Sequence, residues 1–167
     1  MVNLNQLLEI TQLSQMIKNP ILVVDDNEET LAVVCEVLNR AGYDTLSSTN
    51  GHEAWTKFET NHLSLLITDL ELPDTTGADL TRRIRTIDSS LPTIIMSANR
   101  SLDVRLEAME AGAYTFIPKP LHLPQFVQFV NKAINSSTSA LFQPRRENMN
   151  RSQSLLLKWT RIIRFRR

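Results

Sequence analysis

Three aspartates, a serine and a lysine each follow an apolar stretch of the sequence, although they lie far apart along the chain. Asp25 and Asp26 follow one such stretch, and Asp69, Ser97 and Lys119 follow three others. Carboxylates gathered in one place raise one another's pKa values unless a cation neutralises them. Mg²⁺ is the usual cation where oxygen ligands must also hold a phosphoryl group, and a hydroxyl and an ammonium suit the remaining phosphoryl oxygens. One carboxylate could then act as a nucleophile and form an acyl phosphate.

Apolar stretches that alternate with amphipathic ones predict the elements that would bring these residues together. Stretches that are apolar throughout are typical of parallel strands covered on both faces. We expect strands at residues 21–24, 43–47, 63–68, 93–96 and 115–117, and helices at residues 28–40, 51–59, 78–87, 102–111 and 121–134. The alternation predicts an α/β fold with a doubly wound parallel sheet, in which ligands bind at the carboxyl ends of the strands.

Each candidate residue also has an ordinary structural explanation. Asp25 and Asp26 alone would be interpreted as caps of the first helix. Asp69 could open a solvated loop, Ser97 could be a strand-end hydroxyl, and Lys119 could be a surface lysine. These explanations fail together, because each would have to place its residue at a carboxyl strand end by coincidence.

Four motifs resemble those of response-regulator receiver domains: ILVVDDN, LLITDLELPDTTG, IIMSA and GAYTFIPKP. Their order and spacing match that family from about residue 20 to residue 135. The resemblance implies a five-stranded parallel sheet of strand order 2-1-3-4-5 with helices on both faces. It also implies a switch that accepts a phosphoryl group from a sensor histidine kinase or a phosphotransfer protein and then changes its binding of partners.

The same resemblance implies roles for the acidic residues and the lysine. Asp69 would be the phosphoacceptor, and Lys119 would contact the phosphoryl group. Asp26 and Asp69 would bind Mg²⁺ directly, whereas Asp25 would act mainly through metal-bound water. The backbone carbonyl of Glu71 would be a further ligand of the metal.

Two further residues would transmit the signal. The resemblance implies that Ser97 is the switch hydroxyl and that Phe116 is the aromatic side chain that changes rotamer with it. Serine stands here where threonine is commoner in the family, and it keeps the hydroxyl. The Lys119–Pro120 peptide bond would be cis. Glu71 adds a carboxylate beside the site. It would affect the lifetime of the phosphoryl group, in a direction that the residue types do not determine.

We expect a cytoplasmic protein that transfers phosphate to itself and removes it, and that is not an enzyme for an external substrate. A downstream protein would bind the face formed by the fourth helix, fifth strand and fifth helix, and the domain could form a homodimer.

Three alternative functions stay open. One is a docking module that acts without phosphorylation. A Mg²⁺-dependent phosphatase would need Asp-x-Asp after its first strand, but the nearest match, Asp69-Leu70-Glu71, follows the third. An FMN-binding flavodoxin-like protein would need a loop rich in Ser, Thr and Gly where this chain has DDNEE.

Charge is distributed unevenly along the chain. Residues 1–135 carry 10 Lys and Arg against 17 Asp and Glu, whereas residues 136–167 carry 8 against one, so that −7 and +7 cancel. We expect an amphipathic helix at 1–18, a receiver domain at 19–135, a linker at 136–153 and a basic amphipathic tail at 154–167. The tail could dock on the acidic domain, or contact an anionic membrane or nucleic acid. We recognise no complete output domain in residues 136–167.

Overall fold

The computed structural model describes residues 19–141 of the chain, with side chains described as far as Ser137. Strands and helices alternate strictly through this part of the chain. The strands are β1 (Ile21–Val24), β2 (Thr45–Ser48), β3 (Leu65–Asp69), β4 (Thr93–Ser97) and β5 (Thr115–Pro118). The helices are α1 (Glu28–Arg40), α2 (Gly51–Thr60), α3 (Gly77–Arg85), α4 (Leu102–Glu110) and α5 (Leu123–Leu141).

The strands form one parallel sheet of order β2-β1-β3-β4-β5. This order confirms the predicted doubly wound α/β fold. The register places Val24 beside Thr68 in the central pair of strands, and Asp69 beside Met96 of the next strand. Because parallel strands end at the same edge of a sheet, the residues that follow β1, β3, β4 and β5 meet there.

The strands are buried on both faces, which accounts for their uniformly apolar sequences. On one face Ile21 packs in a cluster with Val34 of α1 and Phe126 of α5. On the other face Leu22 packs in a second cluster that includes Ile84 of α3. Full burial of a side chain of this size stabilises the fold by roughly 1.5–3 kcal/mol. The two clusters therefore fix the sheet between its helical layers.

Helix α4 contacts the sheet mainly through small side chains. A third cluster contains its Ala108 together with Leu70 and Ile95, and the half-buried Phe116 packs against it. On the outer side of α4 the larger apolar residues are exposed, namely Leu102, Leu106 and Met109 at 69%, 49% and 46%. This helix therefore presents an apolar surface to solvent.

The start of α1 settles which residue caps it. Asn27 is the N-cap, and its side-chain oxygen accepts a hydrogen bond from the backbone N–H of Thr30 at 2.8 Å. Interpreting Asp25 and Asp26 as the caps of this helix is therefore wrong. Asp25 instead accepts a hydrogen bond from the backbone N–H of Asn27 at 3.0 Å. Because the side chain of Asn27 caps the helix, neither aspartate is needed as the N-cap, and both carboxylates can take part in a binding site.

The last helix continues past the expected boundary at residue 135. Helix α5 runs to Leu141, whereas the compact unit that contains the sheet ends at Ser137. No helix among residues 19–141 combines the length and apolar character needed to cross a membrane. The predicted N-terminal helix at 1–18, the basic tail at 154–167 and most of the predicted linker lie outside the described residues and stay predictions.

Gly77 provides a test of how tightly α3 packs behind Asp69. A Cβ atom at Gly77 would lie 2.1 Å from the backbone carbonyl oxygen of Asp69. We expect Gly77→Ala to lower the free energy of unfolding by about 3 kcal/mol, since the backbone atom it meets cannot move aside. Gly42→Ala is the control, because a Cβ there meets nothing within 4 Å although φ is +91°, and it should cost about 1 kcal/mol. Equal losses in urea titrations would contradict this account.

Candidate functional site

The carboxyl ends of β1 and β3 bring three carboxylates together. One carboxylate oxygen each of Asp25, Asp26 and Asp69 lies within 4.8 Å of the others. Asp25 is fully buried, Asp69 is 9% exposed, and Asp26 is open to solvent. The pairing of β1 with β3 causes this approach, because each strand ends immediately before or at its aspartate.

Lys119 bridges two of these carboxylates. Its Nζ donates a hydrogen bond to Asp25 Oδ2 at 2.6 Å and another to Asp69 Oδ2 at 2.5 Å. The lysine follows β5, and its backbone N–H donates to the carbonyl oxygen of Ser97 at 2.8 Å. The Lys119–Pro120 bond is cis. Four strands therefore contribute to one polar site.

Burial and charge act against each other at this site. Burial raises the pKa of Asp25, and it outweighs the opposing hydrogen bonds from Lys119 and from the amide of Asn27. The neighbouring charge of Asp69 adds to the increase. Burial acts to lower the pKa of Lys119, but its hydrogen bonds to Asp25 and Asp69 outweigh this and raise the pKa above its ordinary value. The ammonium is therefore charged at neutral pH.

The donor set fits a hard divalent cation. The cluster contains three carboxyl groups and one ammonium, so the single charge of Lys119 does not match the number of carboxyl groups around it. Carboxylate oxygens are the ligands that Mg²⁺ prefers, and an exposed carboxylate such as that of Asp26 gives the ion access from solvent.

Glu71 lies at the start of the loop that follows Asp69. Its backbone N–H donates to Asp69 Oδ1 at 3.4 Å, and its side chain is exposed. Glu71 also forms an isolated antiparallel bridge with Thr76. The residue is therefore held next to the carboxylate cluster through its backbone, and its side-chain carboxylate is exposed to solvent.

The two predicted switch residues lie on neighbouring strands. Ser97 is 1% exposed, and its hydroxyl oxygen accepts a hydrogen bond from the backbone N–H of Asn99 at 3.0 Å. Phe116 is half-buried and pairs in register with Ile95 of β4. The ring of Phe116 is therefore partly exposed and packs against the cluster that contains Ala108.

Sequence reasoning missed two residues that organise the loops around the site. Arg100 donates a hydrogen bond from Nη2 to the backbone carbonyl of Lys119 at 2.9 Å, so it ties the loop after β4 to the loop after β5. Asp74 ties the loop after β3 to the first residues of α2, Gly51 and His52. A turn at residues 73–77 was foreseeable, but the distant partners of these side chains were not.

A groove of about 570 Å³ lies beside the site, between α1 and the loop that follows β5. Val33 and Val34 line it from the helix, Pro120 and Leu121 line it from the loop, and Lys119 contributes to its wall. Val33 is 46% exposed. The groove therefore offers an apolar surface within reach of the polar cluster.

Comparison with known proteins agrees with this geometry. The family model for the response regulator receiver domain matches residues 21–131. The chain belongs to the response regulator receiver domain family, whose members act in two-component signalling. Receiver domains generally interact with histidine kinases or phosphotransfer proteins, and they can form dimers. The family predicted from the four sequence motifs is thereby confirmed.

Individual relatives show how much of the chain is shared. The DNA-binding transcriptional regulator NtrC of Azospirillum brasilense is 36% identical over 118 residues, which are 71% of this chain and 24% of that protein. Sporulation initiation phosphotransferase F of Bacillus subtilis is 32% identical over 117 residues, or 70% of this chain and 94% of that protein. The match therefore spans about a quarter of NtrC but almost all of the phosphotransferase.

A solved structure supports the fold. The CheY-like receiver domain protein of Methanospirillum hungatei superposes with a TM-score of 0.70 at 23% identity. The match covers 73% of this chain and 98% of that one. At this level of identity the likeness concerns the arrangement of strands and helices.

The raised pKa of Asp25 leads to a prediction about stability. The pKa of Asp25 is higher in the folded protein than its ordinary value of 3.8. Because this carboxyl group loses its proton less readily in the folded state, the fold becomes less stable as the pH rises from below the ordinary pKa to above the folded-state pKa. The destabilisation is still present at pH 7. We expect Asp25→Asn to raise the free energy of unfolding at pH 7 without Mg²⁺, on the order of 1 kcal/mol. Lys119 would keep its contact with Asp69.

Urea titrations in the presence of a chelator measure this effect. Asp44→Asn is the matched control, since Asp44 is exposed in the turn before β2, and it should change stability by less than about 0.5 kcal/mol. The difference between wild type and Asp25→Asn should shrink as the pH approaches 4. A less stable Asp25→Asn protein at pH 7 would show that the ion pair with Lys119 outweighs burial.

Proposed function

We propose that this domain is a phosphorylation switch in which Asp69 accepts a phosphoryl group. The observation that carries the proposal is the cluster of Asp25, Asp26 and Asp69, with Lys119 hydrogen-bonded to two of its members. An oxygen of Asp69 would attack the phosphorus of a phosphohistidine on a sensor histidine kinase or phosphotransfer protein. The new P–O bond forms as the P–N bond breaks, and the imidazole leaves.

The residues around Asp69 would each do part of this work. Asp26 and Asp69, with the backbone carbonyl of Glu71, would hold Mg²⁺, and Asp25 would act through bound water. The bound ion would offset charge on the transferring group. Lys119 Nζ already lies 2.5 Å from Asp69 Oδ2, so a small shift would let it donate to a phosphoryl oxygen. Water would later hydrolyse the acyl phosphate.

The apolar groove would receive the phosphodonor. It lies between α1 and the loop after β5, and it contains Val33 on one side and Leu121 on the other. A helix that carries a histidine could lay its apolar residues there and present the imidazole toward Asp69. Lys119 would then lie between the groove and the acceptor.

Ser97 and Phe116 would transmit the change to the surface. The phosphoryl group would draw the Ser97 hydroxyl toward it, and Phe116 would turn inward against the cluster around Ala108. The face formed by α4, β5 and α5 would change shape, and a downstream protein would bind it. Exposed Leu106 and Met109 provide apolar contact area on that face. A homodimer through the same domain is compatible with this scheme.

The alternatives have less support. A docking module without phosphorylation would not require a lysine bridging two buried aspartates. The acidic loop after β1 would repel the phosphate of FMN. For a phosphatase, Glu71 would have to serve as acid and base, although its side chain is exposed. We therefore propose that the protein is cytoplasmic and that it transfers a phosphoryl group to itself and removes it, without acting on an external substrate. The role of the basic tail, at a membrane or on nucleic acid, stays a prediction.

The choice of acceptor can be tested by chemical labelling. With Mg²⁺ and acetyl phosphate, the wild-type protein should gain one phosphoryl group that is stable in acid and labile in base. Asp69→Asn should lose that label, because the amide cannot form an acyl phosphate, whereas the control Asp44→Asn should keep it. Intact-protein mass spectrometry measures the added group. Undiminished labelling of Asp69→Asn at another residue would overturn the assignment.

The switch hydroxyl can be tested with a mimic of the phosphoryl group. Ser97→Ala should leave Mg²⁺ binding nearly intact but weaken the conformational response to beryllofluoride, since one charge-assisted hydrogen bond of roughly 1.5–3 kcal/mol is lost. NMR shifts around Phe116 measure the response. Ser89→Ala, an exposed serine before β4, is the control. Identical shifts in wild type and Ser97→Ala would show that the coupling bypasses this hydroxyl.

A further inference from the structure

One carboxylate connects the loop after β3 to the start of α2. Asp74 Oδ1 accepts a hydrogen bond from the backbone N–H of Gly51, and Oδ2 accepts one from the backbone N–H of His52, both at 2.8 Å. Both amides belong to the first turn of the helix, where backbone N–H groups have no partner within the helix. The hydrogen bonds from these amides hold the pKa of Asp74 below its ordinary value. The contact therefore joins segments more than 20 residues apart.

The two segments fit closely at this point. Gly51 is buried, and a Cβ atom there would lie 2.3 Å from Thr75 Cγ2 and 3.3 Å from Asp74 Oδ1. Glycine at the first position of α2 thus lets the loop approach the helix backbone. The close approach and the paired hydrogen bonds restrain the same part of the loop.

Helix α2 does not need Asp74 as its cap. Its N-cap is Asn50, whose side chain accepts from the backbone N–H of Glu53 at 2.8 Å. Glu53 in turn accepts from the backbone N–H of Thr49 at 3.3 Å. The contact between Asn50 and the N–H of Glu53 is an N-cap like those found at many helices. Asp74 therefore adds a link between two segments to a helix start that is already capped.

The loop that Asp74 anchors is a small hairpin. Glu71 pairs with Thr76, and the N–H of Leu72 donates to the carbonyl of Thr75 at 3.2 Å. At the base, the N–H of Gly77 donates to the carbonyl of Leu70 at 2.7 Å. Asp74 lies at the tip. Anchoring the tip to α2 restrains both arms, and one arm begins directly after Asp69.

We propose that Asp74 is a positioning residue for the metal site: by holding the hairpin against α2, it sets the place of the Glu71 carbonyl relative to the Asp69 carboxylate. This inference rests on the proposed function, because it takes that carbonyl as a ligand of Mg²⁺. Residues that orient metal ligands contribute to metal affinity although they do not touch the ion.

Calorimetric titration of the full chain with Mg²⁺ tests the inference. Asp74→Ala should weaken Mg²⁺ binding roughly tenfold, at the lower end of what such orienting partners contribute. Asp74→Asn can still accept one hydrogen bond, so its affinity should fall between those of Asp74→Ala and the wild type. Asp44→Ala removes an exposed aspartate from the other edge of the sheet and should bind Mg²⁺ as the wild type does.

The rate of labelling by acetyl phosphate provides a second readout. In Asp74→Ala the Mg²⁺ concentration for half-maximal labelling should rise by the same factor as the dissociation constant, while the rate at saturating Mg²⁺ stays near that of wild type. A residue that only stabilises the fold would lower the saturating rate and leave the half-maximal concentration unchanged, and that result would overturn the inference.

The outcomes separate this inference from the proposed function. Mg²⁺ affinities within twofold of wild type for Asp74→Ala would overturn the role of Asp74. Should that variant unfold, Asp74→Asn carries the test, and an affinity equal to that of wild type would overturn it in the same way. A wild-type protein that binds Mg²⁺ but takes no label on Asp69 would overturn the proposed function instead, and the calorimetric comparison would still decide the role of Asp74.

Discussion

Like charges held close together at one edge of the sheet are the constraint on which the rest of this domain depends. Asp25 and Asp69 are buried or nearly so, and Asp26 lies beside them. Burial of a carboxylate is unfavourable unless an opposite charge and hydrogen bonds compensate it. Lys119 supplies part of that compensation across the sheet. The remaining negative charge is the physical reason for a cation, and it links stability to the chemistry of the site.

Much of this arrangement could be predicted from the sequence because it follows from strand ends. Uniformly apolar stretches identify buried parallel strands, and such strands place their following residues at a common edge. From this rule the sequence predicts that Asp25, Asp69, Ser97 and Lys119 lie at one edge of the sheet, and the structure places them there. The ends of β1 and α1 agree with the prediction to the residue.

The rest depends on side-chain partners that no local pattern specifies. Asn27 caps α1, and neither of the two preceding aspartates does. The anchor from Asp74 to α2 and the contact of Arg100 with the Lys119 carbonyl join loops that are distant in sequence. Helix α5 continues to Leu141 through a serine-rich stretch of low intrinsic helix propensity, where composition alone favoured a linker.

A crystal structure of the protein with Mg²⁺ and beryllofluoride tests the central claim most directly. The account predicts a beryllofluoride group on Asp69 and a cation held by Asp26, Asp69 and the Glu71 carbonyl. It also predicts that Lys119 Nζ contacts a fluoride, so that at least one of its two present carboxylate contacts is exchanged. An unmodified Asp69 at saturating beryllofluoride, with Lys119 still bridging it to Asp25, would contradict the account.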